Sequence, residues 1–341
     1  MLSTVYQLKR PRQFEVIFKN IELNREQLLV RPTHLSICNA DQRYYQGTRP
    51  AEILRRKLPM ALIHEGIGSV VYDPTGSFQA GERVVMIPNL PVQADEFVAE
   101  NYLRSSQFRA SGVDGFLQEY VQTVPDRAVR LPEQMNPSVA AFTELVSVSY
   151  HALHRFFSVS HGRMDEAAVW GDGNLGYITA LLLHYLRPQT KLYVVGVHEE
   201  KLSYFTFADE TILTTQLEED FAFDHALECV GGSAAGTAVG QIIDHIRPEG
   251  TIGLLGVSEE LVPIETRMVL EKGLRIIGSS RSGRADFLGL MDLYRQYPEM
   301  AFYLENIVGE EFRVRDIKDI RNAFEADIHK LMGKTIMVWD E

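Results

Sequence analysis

The stretch Trp170-Gly171-Asp172-Gly173-Asn174-Leu175-Gly176 constrains this chain more than any other. It follows the apolar run Ala167-Ala168-Val169 and opens onto Tyr177-Ile178-Thr179-Ala180-Leu181-Leu182-Leu183, which has helical composition. A strand, a G-x-G-x-x-G turn and a helix in that order are the fingerprint of a dinucleotide site. Gly171 permits the tight turn, Gly173 lets the backbone approach a pyrophosphate, and Gly176 lets the helix pack against the strand. Asn174 and Leu175 complete the turn, and phosphates placed there face free N–H groups at the positive end of the helix dipole. Without a ligand the same residues read as a glycine-rich turn.

Short apolar runs at residues 192–196, 223–229, 251–256 and 275–278 alternate with helical patterns downstream of the turn. That alternation predicts βαβ units, hence a Rossmann-type, doubly wound parallel sheet covered by helices on both faces. Upstream the chain is β-rich. Strands are predicted near 14–18, 27–33, 67–73 and 83–88, then a polar lobe over 89–114 and a return to extended structure over 115–121. Helices are predicted over 139–142 and 146–156, an amphipathic helix near 286–297, and a closing strand over 335–339.

A chain of 341 residues is long for one domain. The texture divides it into residues 1–145 with 282–341, and a nucleotide-binding domain over 146–281. The net charge of -12 argues against nucleic acid or an anionic membrane surface as the main partner. Residues 7–13 are polar and lack the apolar core of a signal peptide, and no window reaches the roughly 18 apolar residues of a membrane span. The only cysteines are Cys38 and Cys229, so a reducing cytoplasm is the expected location.

Cys38, His64 and Glu65 lie in the β-rich part and Glu144 at its edge. Thiolate, imidazole and carboxylate are the ligand set of a catalytic zinc with one open position. Taken singly, Cys38 and His64 are also ordinary core residues, and Glu65 and Glu144 ordinary surface or cap groups.

Together these motifs resemble the zinc-dependent medium-chain dehydrogenases/reductases of the alcohol and polyol dehydrogenase type, over essentially the whole length. Cys38-Asn39-Ala40-Asp41 is similar to C-x-[ST]-D, and His64-Glu65-Gly66-Ile67-Gly68 to G-H-E-x-x-G. Gly115-Phe116-Leu117-Gln118-Glu119-Tyr120 is similar to G-G-F-A-E-Y, and Thr143-Glu144-Leu145 to E-P-L. The resemblance implies a GroES-like catalytic domain beside the nucleotide domain, with Cys38, His64 and Glu144 as zinc ligands and Glu65 able to approach the metal.

Three departures carry consequences. Ala40 stands where the family has the hydroxyl that passes the alcohol proton outward, leaving Tyr44, or a zinc-bound water acting through Glu65, as substitutes. Ile63 replaces the glycine before the histidine and is expected to crowd the metal loop. Residues 89–114 contain no cysteine, so one catalytic zinc and no structural zinc is expected.

An acidic residue about 20 positions after the glycine turn normally binds the ribose hydroxyls of NAD. Gly196 falls there, so a 2′-phosphate meets no carboxylate, and His198 and Lys201 supply positive charge. NADPH is therefore expected, with NADH as the alternative through Glu199 or Glu200.

A closer resemblance is to the bacterial ribulose-5-phosphate reductases, carried by Gln42-Arg43-Tyr44-Tyr45, Lys57-Leu58-Pro59-Met60, Ala99-Glu100-Asn101-Tyr102-Leu103 and Gly278-Ser279-Ser280-Arg281-Ser282-Gly283. It implies reduction of a ketopentose phosphate for teichoic acid or capsule polymers, beside a cytidylyltransferase. Arg43 is the first candidate for the substrate phosphate, then Arg49, Arg55, Arg56 and Lys57. The family also implies a homodimer through residues 251–261 and 275–280 at the sheet edge. The competing readings are an NAD-dependent zinc dehydrogenase of free sugar alcohols and a non-catalytic nucleotide-binding protein.

Overall fold

The computed structural model describes residues 1–339. It resolves into two compact units, Met1–Leu145 with the segment from Ser282 onward, and Val146–Arg281. No helix among the described residues is long and apolar enough to cross a membrane.

The first unit is built on antiparallel strands. Leu2–Arg10 pairs with Gln13–Asn20 on one side and with Met60–Ala61 on the other. A larger sheet runs in the order Ala128–Arg130, Arg83–Met86, Glu65–Tyr72, Leu28–Ser36, Lys334–Trp339 and Val308–Val314. Its last two strands are parallel, a pairing that needs a crossover, here the helix Ile317–Ile328. Leu28, Val30, Leu35, Ile37, Leu62, Val70, Phe116 and Phe324 fill the core between these elements. Each such side chain contributes roughly 1.5–3 kcal/mol when withdrawn from water.

Leu2–Arg10 was not foreseen, because its buried residues, Ser3, Val5 and Leu8, do not form an apolar alternation and Leu2 is exposed. The extended segment expected over 115–121 is also different. Only Val121–Thr123 is a strand. Ahead of it, the amides of Gly115, Phe116 and Leu117 donate to the carbonyls of Ala61, Ile63 and Leu62, and Gln118 meets Val5 in an antiparallel bridge, so this segment braces the loop before His64 and touches the strand Leu2–Arg10 at one point.

The second unit is a six-stranded parallel sheet in the order Glu210–Leu213, Lys191–Gly196, Glu166–Trp170, His225–Glu228, Thr251–Leu254, Arg275–Gly278. This is the doubly wound order, with its reversal beside Glu166–Trp170. Trp170, Val195, Phe223, Ile242 and Ile252 form its core. Glu210–Leu213 was missed in the sequence, being four residues long and partly exposed. The edge expectation needs a correction. Thr251–Leu254 pairs on both sides and is interior, and only Arg275–Gly278 lies at that edge.

Candidate metal centre and dinucleotide turn

The strand Leu28–Ser36 delivers Cys38 to the start of the helix Asn39–Gln46. Asp41, in the first turn of that helix, accepts from the Cys38 amide at 3.3 Å and from the Ile63 amide at 3.0 Å. One carboxylate thereby ties the cysteine loop to the histidine loop. Asp41 Oδ2 also stands 3.4 Å from His64 Nδ1. A carboxylate on Nδ1 orients the ring and leaves Nε2 for a metal, the usual arrangement behind a ligating histidine. Burial by itself lowers the pKa of His64, but Asp41 and Cys38 outweigh it and hold the imidazole well above its ordinary value.

Ile63 has φ of 69°, in the left-handed region where a β-branched residue is strained. The family's glycine at this position answers that backbone demand. The expected crowding takes the form of backbone strain, since the Ile63 side chain is buried in the core.

Cys38, His64 and Glu65 offer ligand atoms all within 4.8 Å of one another. Glu65 is fully buried, and its Oε1 accepts from Lys334 Nζ at 3.0 Å. Oε2 lies 2.9 Å from the same ammonium yet accepts no hydrogen bond among the described residues, which leaves its lone pairs directed elsewhere. Lys334 is itself buried and also donates to the Ile37 carbonyl at 3.0 Å. Burial lowers its pKa, while Glu65 and Cys38 raise it by more, so the ammonium stays charged.

Glu144, in the first turn of the helix Thr143–Val159, is buried and pushed up to about 7, chiefly by burial. His64 and Lys334 oppose that rise, and Glu65 and Asp41 add to it, so its carboxyl shares the field of the cluster. Three buried carboxyls, Asp41, Glu65 and Glu144, stand against two bases, His64 and Lys334, although Glu144 is not among the ligand atoms grouped within 4.8 Å. Buried acids in excess are costly, and a dication restores the balance. The donor set of sulfur, imidazole nitrogen and carboxylate oxygen fits zinc.

Among the other residues singled out in the sequence, Tyr44 is buried, with the Arg49 guanidinium 4.2 Å over its ring. Arg43 lies on the same helix, half-buried. Lys57 donates to the carbonyl and hydroxyl of Ser111, bracing the polar lobe. Arg55 and Arg56 are exposed on the helix Ala51–Lys57. Asp41 and Lys334 were not assigned roles from the sequence. Asp41 was visible inside its motif, whereas nothing local marks Lys334.

In the second unit Gly171 has φ of 129°, and a Cβ there would meet the Cys229 carbonyl carbon at 2.9 Å. A Cβ on Gly176 would stand 1.8 Å from the Gly171 oxygen, so only glycine lets the helix Asn174–Leu186 approach. At Gly173 a Cβ would enter open space, the room a pyrophosphate needs. Asn174 and Leu175 open the helix, partly exposed.

Gly196 ends the second strand, but the space beside it holds a carboxylate after all. A Cβ on Gly196 would lie 2.7 Å from Asp172 Cβ and 2.9 Å from Asp172 Oδ2. Asp172 Oδ2 accepts from the amides of Val197 and His198, each at 2.8 Å, and stands 2.9 Å from His198 Nδ1. Burial raises the Asp172 pKa, but these partners outweigh it and hold the carboxyl below its ordinary range. His198 is exposed, and Lys201 is partly exposed in the short helix Glu199–Leu202.

An alcohol dehydrogenase GroES-like domain model matches residues 24–133. With the parallel dinucleotide sheet and the buried ligand cluster, this defines a zinc-type medium-chain dehydrogenase/reductase. The chain is similar to a ribulose-5-phosphate reductase of Bacillus spizizenii, 54% identical over 340 residues and covering 100% of both chains. A ribulose-5-phosphate reductase of Streptococcus pneumoniae is 44% identical, over 100% of this chain and 98% of its own. The chain belongs to the ribulose-5-phosphate reductase family. Among solved structures, Staphylococcus aureus TarJ in complex with NADPH matches with a TM-score of 0.89 and 46% identity, covering 100% of each chain.

Proposed function

We propose that this enzyme reduces D-ribulose 5-phosphate to D-ribitol 5-phosphate with NADPH, supplying ribitol phosphate for teichoic acid or capsule polymers. The observation that carries the carbonyl-reduction reading is the grouping of Cys38, His64 and Glu65 within 4.8 Å, beside buried carboxyls that outnumber the bases. The full-length similarity to ribulose-5-phosphate reductases supports the substrate, and the NADPH complex of TarJ supports the cofactor.

Cys38 and His64 hold one zinc per chain, with Glu65 and Glu144 as the carboxylate ligands or their immediate relief. When bound, zinc polarises a carbonyl oxygen and NADPH supplies the hydride. Asp41 fixes the His64 ring, and Lys334 fixes Glu65 and balances part of its charge. Tyr44 is the first hydroxyl-bearing residue after Cys38 on the helix Asn39–Gln46 and takes the place in proton transfer that Ala40 cannot fill. Arg43 and Arg49 are the first cations to be tried as anchors of the substrate phosphate, Lys57 being engaged with Ser111. A homodimer through the edge strand Arg275–Gly278 fits the exposed Val257, Leu261 and Leu270 in the same unit.

The test measures NADPH oxidation with ribulose 5-phosphate, free ribulose and fructose, on protein whose zinc content has been counted. Ribulose 5-phosphate should be preferred by at least about 100-fold in kcat/KM, since a phosphate anchor contributes a few charge-assisted bonds. Equal rates with free ribulose would point to a polyol dehydrogenase, and zinc-free protein with full turnover would end the metal assignment.

A further inference from the structure

The carboxylate beside Gly196 comes from an unusual place. It belongs to Asp172, inside the glycine turn, and reaches across to the end of the neighbouring strand. The two residues are mutually dependent, because any side chain at 196 would collide with Asp172.

We propose that Asp172 is a positioning residue for the 2′-phosphate of NADPH, acting through His198. The proposal rests on the reading of NADPH as cofactor with His198 as its phosphate contact. Asp172 Oδ2 is already committed to the amides of Val197 and His198 and to His198 Nδ1, at 2.8, 2.8 and 2.9 Å. Three donors exceed the lone pairs of one carboxylate oxygen. That oxygen is spent on the loop and is not available to a ribose hydroxyl.

The imidazole is fixed on its Nδ1 side, so Nε2 is the nitrogen left to point outward from a side chain that is 52% exposed. A protonated Nε2 donates to a phosphate oxygen, and the carboxylate behind the ring balances the charge that this requires. A ribose hydroxyl makes no such demand. Lys201, three residues on, adds a second positive charge to the same loop.

A neighbouring loop supplies the contrast. Glu228 Oε1 accepts from the amides of Val230 and Gly231 at 2.8 and 2.7 Å, and thus holds its loop through the backbone alone. Asp172 does the same for its own loop and in addition orients a basic side chain. Bracing the backbone needs only the first of these.

The experiment titrates NADPH and NADH separately against the zinc-loaded full-length protein, Asp172→Asn, His198→Gln and the double variant, by calorimetry. Asp172→Asn should weaken NADPH about tenfold and NADH less than about twofold, each factor of ten corresponding to 1.4 kcal/mol. His198→Gln should give the same pattern, and the double variant should be no weaker than either single one. Equal weakening of both cofactors by Asp172→Asn overturns the proposal, since the carboxylate then only props the turn. So does unchanged NADPH affinity in Asp172→Asn when His198→Gln loses it, a result that leaves the His198 contact standing. Unchanged affinities in His198→Gln remove the phosphate contact itself and the proposal with it. His198 is exposed, so that arm reads out even if Asp172→Asn fails to fold.

Discussion

The candidate metal centre and the glycine turn are built in opposite ways. The first collects side chains from widely separated positions, Cys38, Asp41, His64, Glu65 and Lys334, with Glu144 in their electrostatic field, and its buried carboxyls outnumber its bases. The turn uses contiguous backbone from Gly171 to Gly176 and works by leaving atoms out. The first is therefore vulnerable to changes of charge at constant shape, the second to changes of shape at constant charge.

Gly176→Ala should be the most damaging single change, because its Cβ would lie 1.8 Å from backbone that cannot yield. We expect a loss of about 4 kcal/mol or more, read as a lowered Tm, with no measurable NADPH binding by titration. A folded variant that still binds NADPH would show that the turn tolerates added atoms, and the contrast would fail. Cys38→Ala should lose zinc and about 1,000-fold in turnover, several kcal/mol of transition-state stabilisation, while NADPH affinity stays within about twofold. Metal analysis and cofactor titration on one sample check both halves.

Lys334→Met tests whether charge balance governs the centre. Removing one partner of a buried pair costs about 3 kcal/mol or more, so urea unfolding should show that loss, and adding Glu65→Gln should recover most of it. A shape effect would instead make the double variant worse than the single one.

The smallest effect is acid sensitivity outside both sites. Asp114 accepts from the Ala61 amide at 2.7 Å and from Gln7 at 2.9 Å, and Asp224 from Arg163 at 2.7 Å. In both, burial raises the pKa but the hydrogen bonds win, and the folded value lies below the ordinary one. A depressed carboxyl stabilises the fold above its unfolded pKa of roughly 3.9, and that contribution is lost as pH falls through the folded value. Asp114→Asn and Asp224→Asn should each flatten the stability profile below about pH 4, one in each unit, with the profile near pH 7 keeping its slope.

The same contrast explains what could be read from the sequence. The glycine turn, the strand before it and four of the five parallel strands after it were legible because each is local, a contiguous pattern with its own period. Cys38, His64 and Glu65 were legible as types, and their grouping came from the resemblance. Lys334 was not legible, since it reaches Glu65 only because Lys334–Trp339 pairs with Leu28–Ser36, bringing Ile336 opposite Ser36. Asp172 was read merely as a turn residue. Its partner is fixed by the parallel alignment of Trp170 with Val195, which no local pattern encodes. Gly196 was read as leaving a 2′-phosphate without a carboxylate beside it, whereas the carboxylate of Asp172 stands next to that position.

Ile63 has one more consequence. Glycine in that left-handed turn would be at ease there and equally at ease in many other conformations. Isoleucine is not at ease, yet its amide is held by Asp41 and its carbonyl receives the Phe116 amide at 2.6 Å. The histidine loop thus has few alternative shapes to visit, and opening it means withdrawing a buried side chain from the core. A metal held by His64 would then leave by way of local opening of this loop, so its release should slow as the fold is stabilised and quicken with mild denaturant.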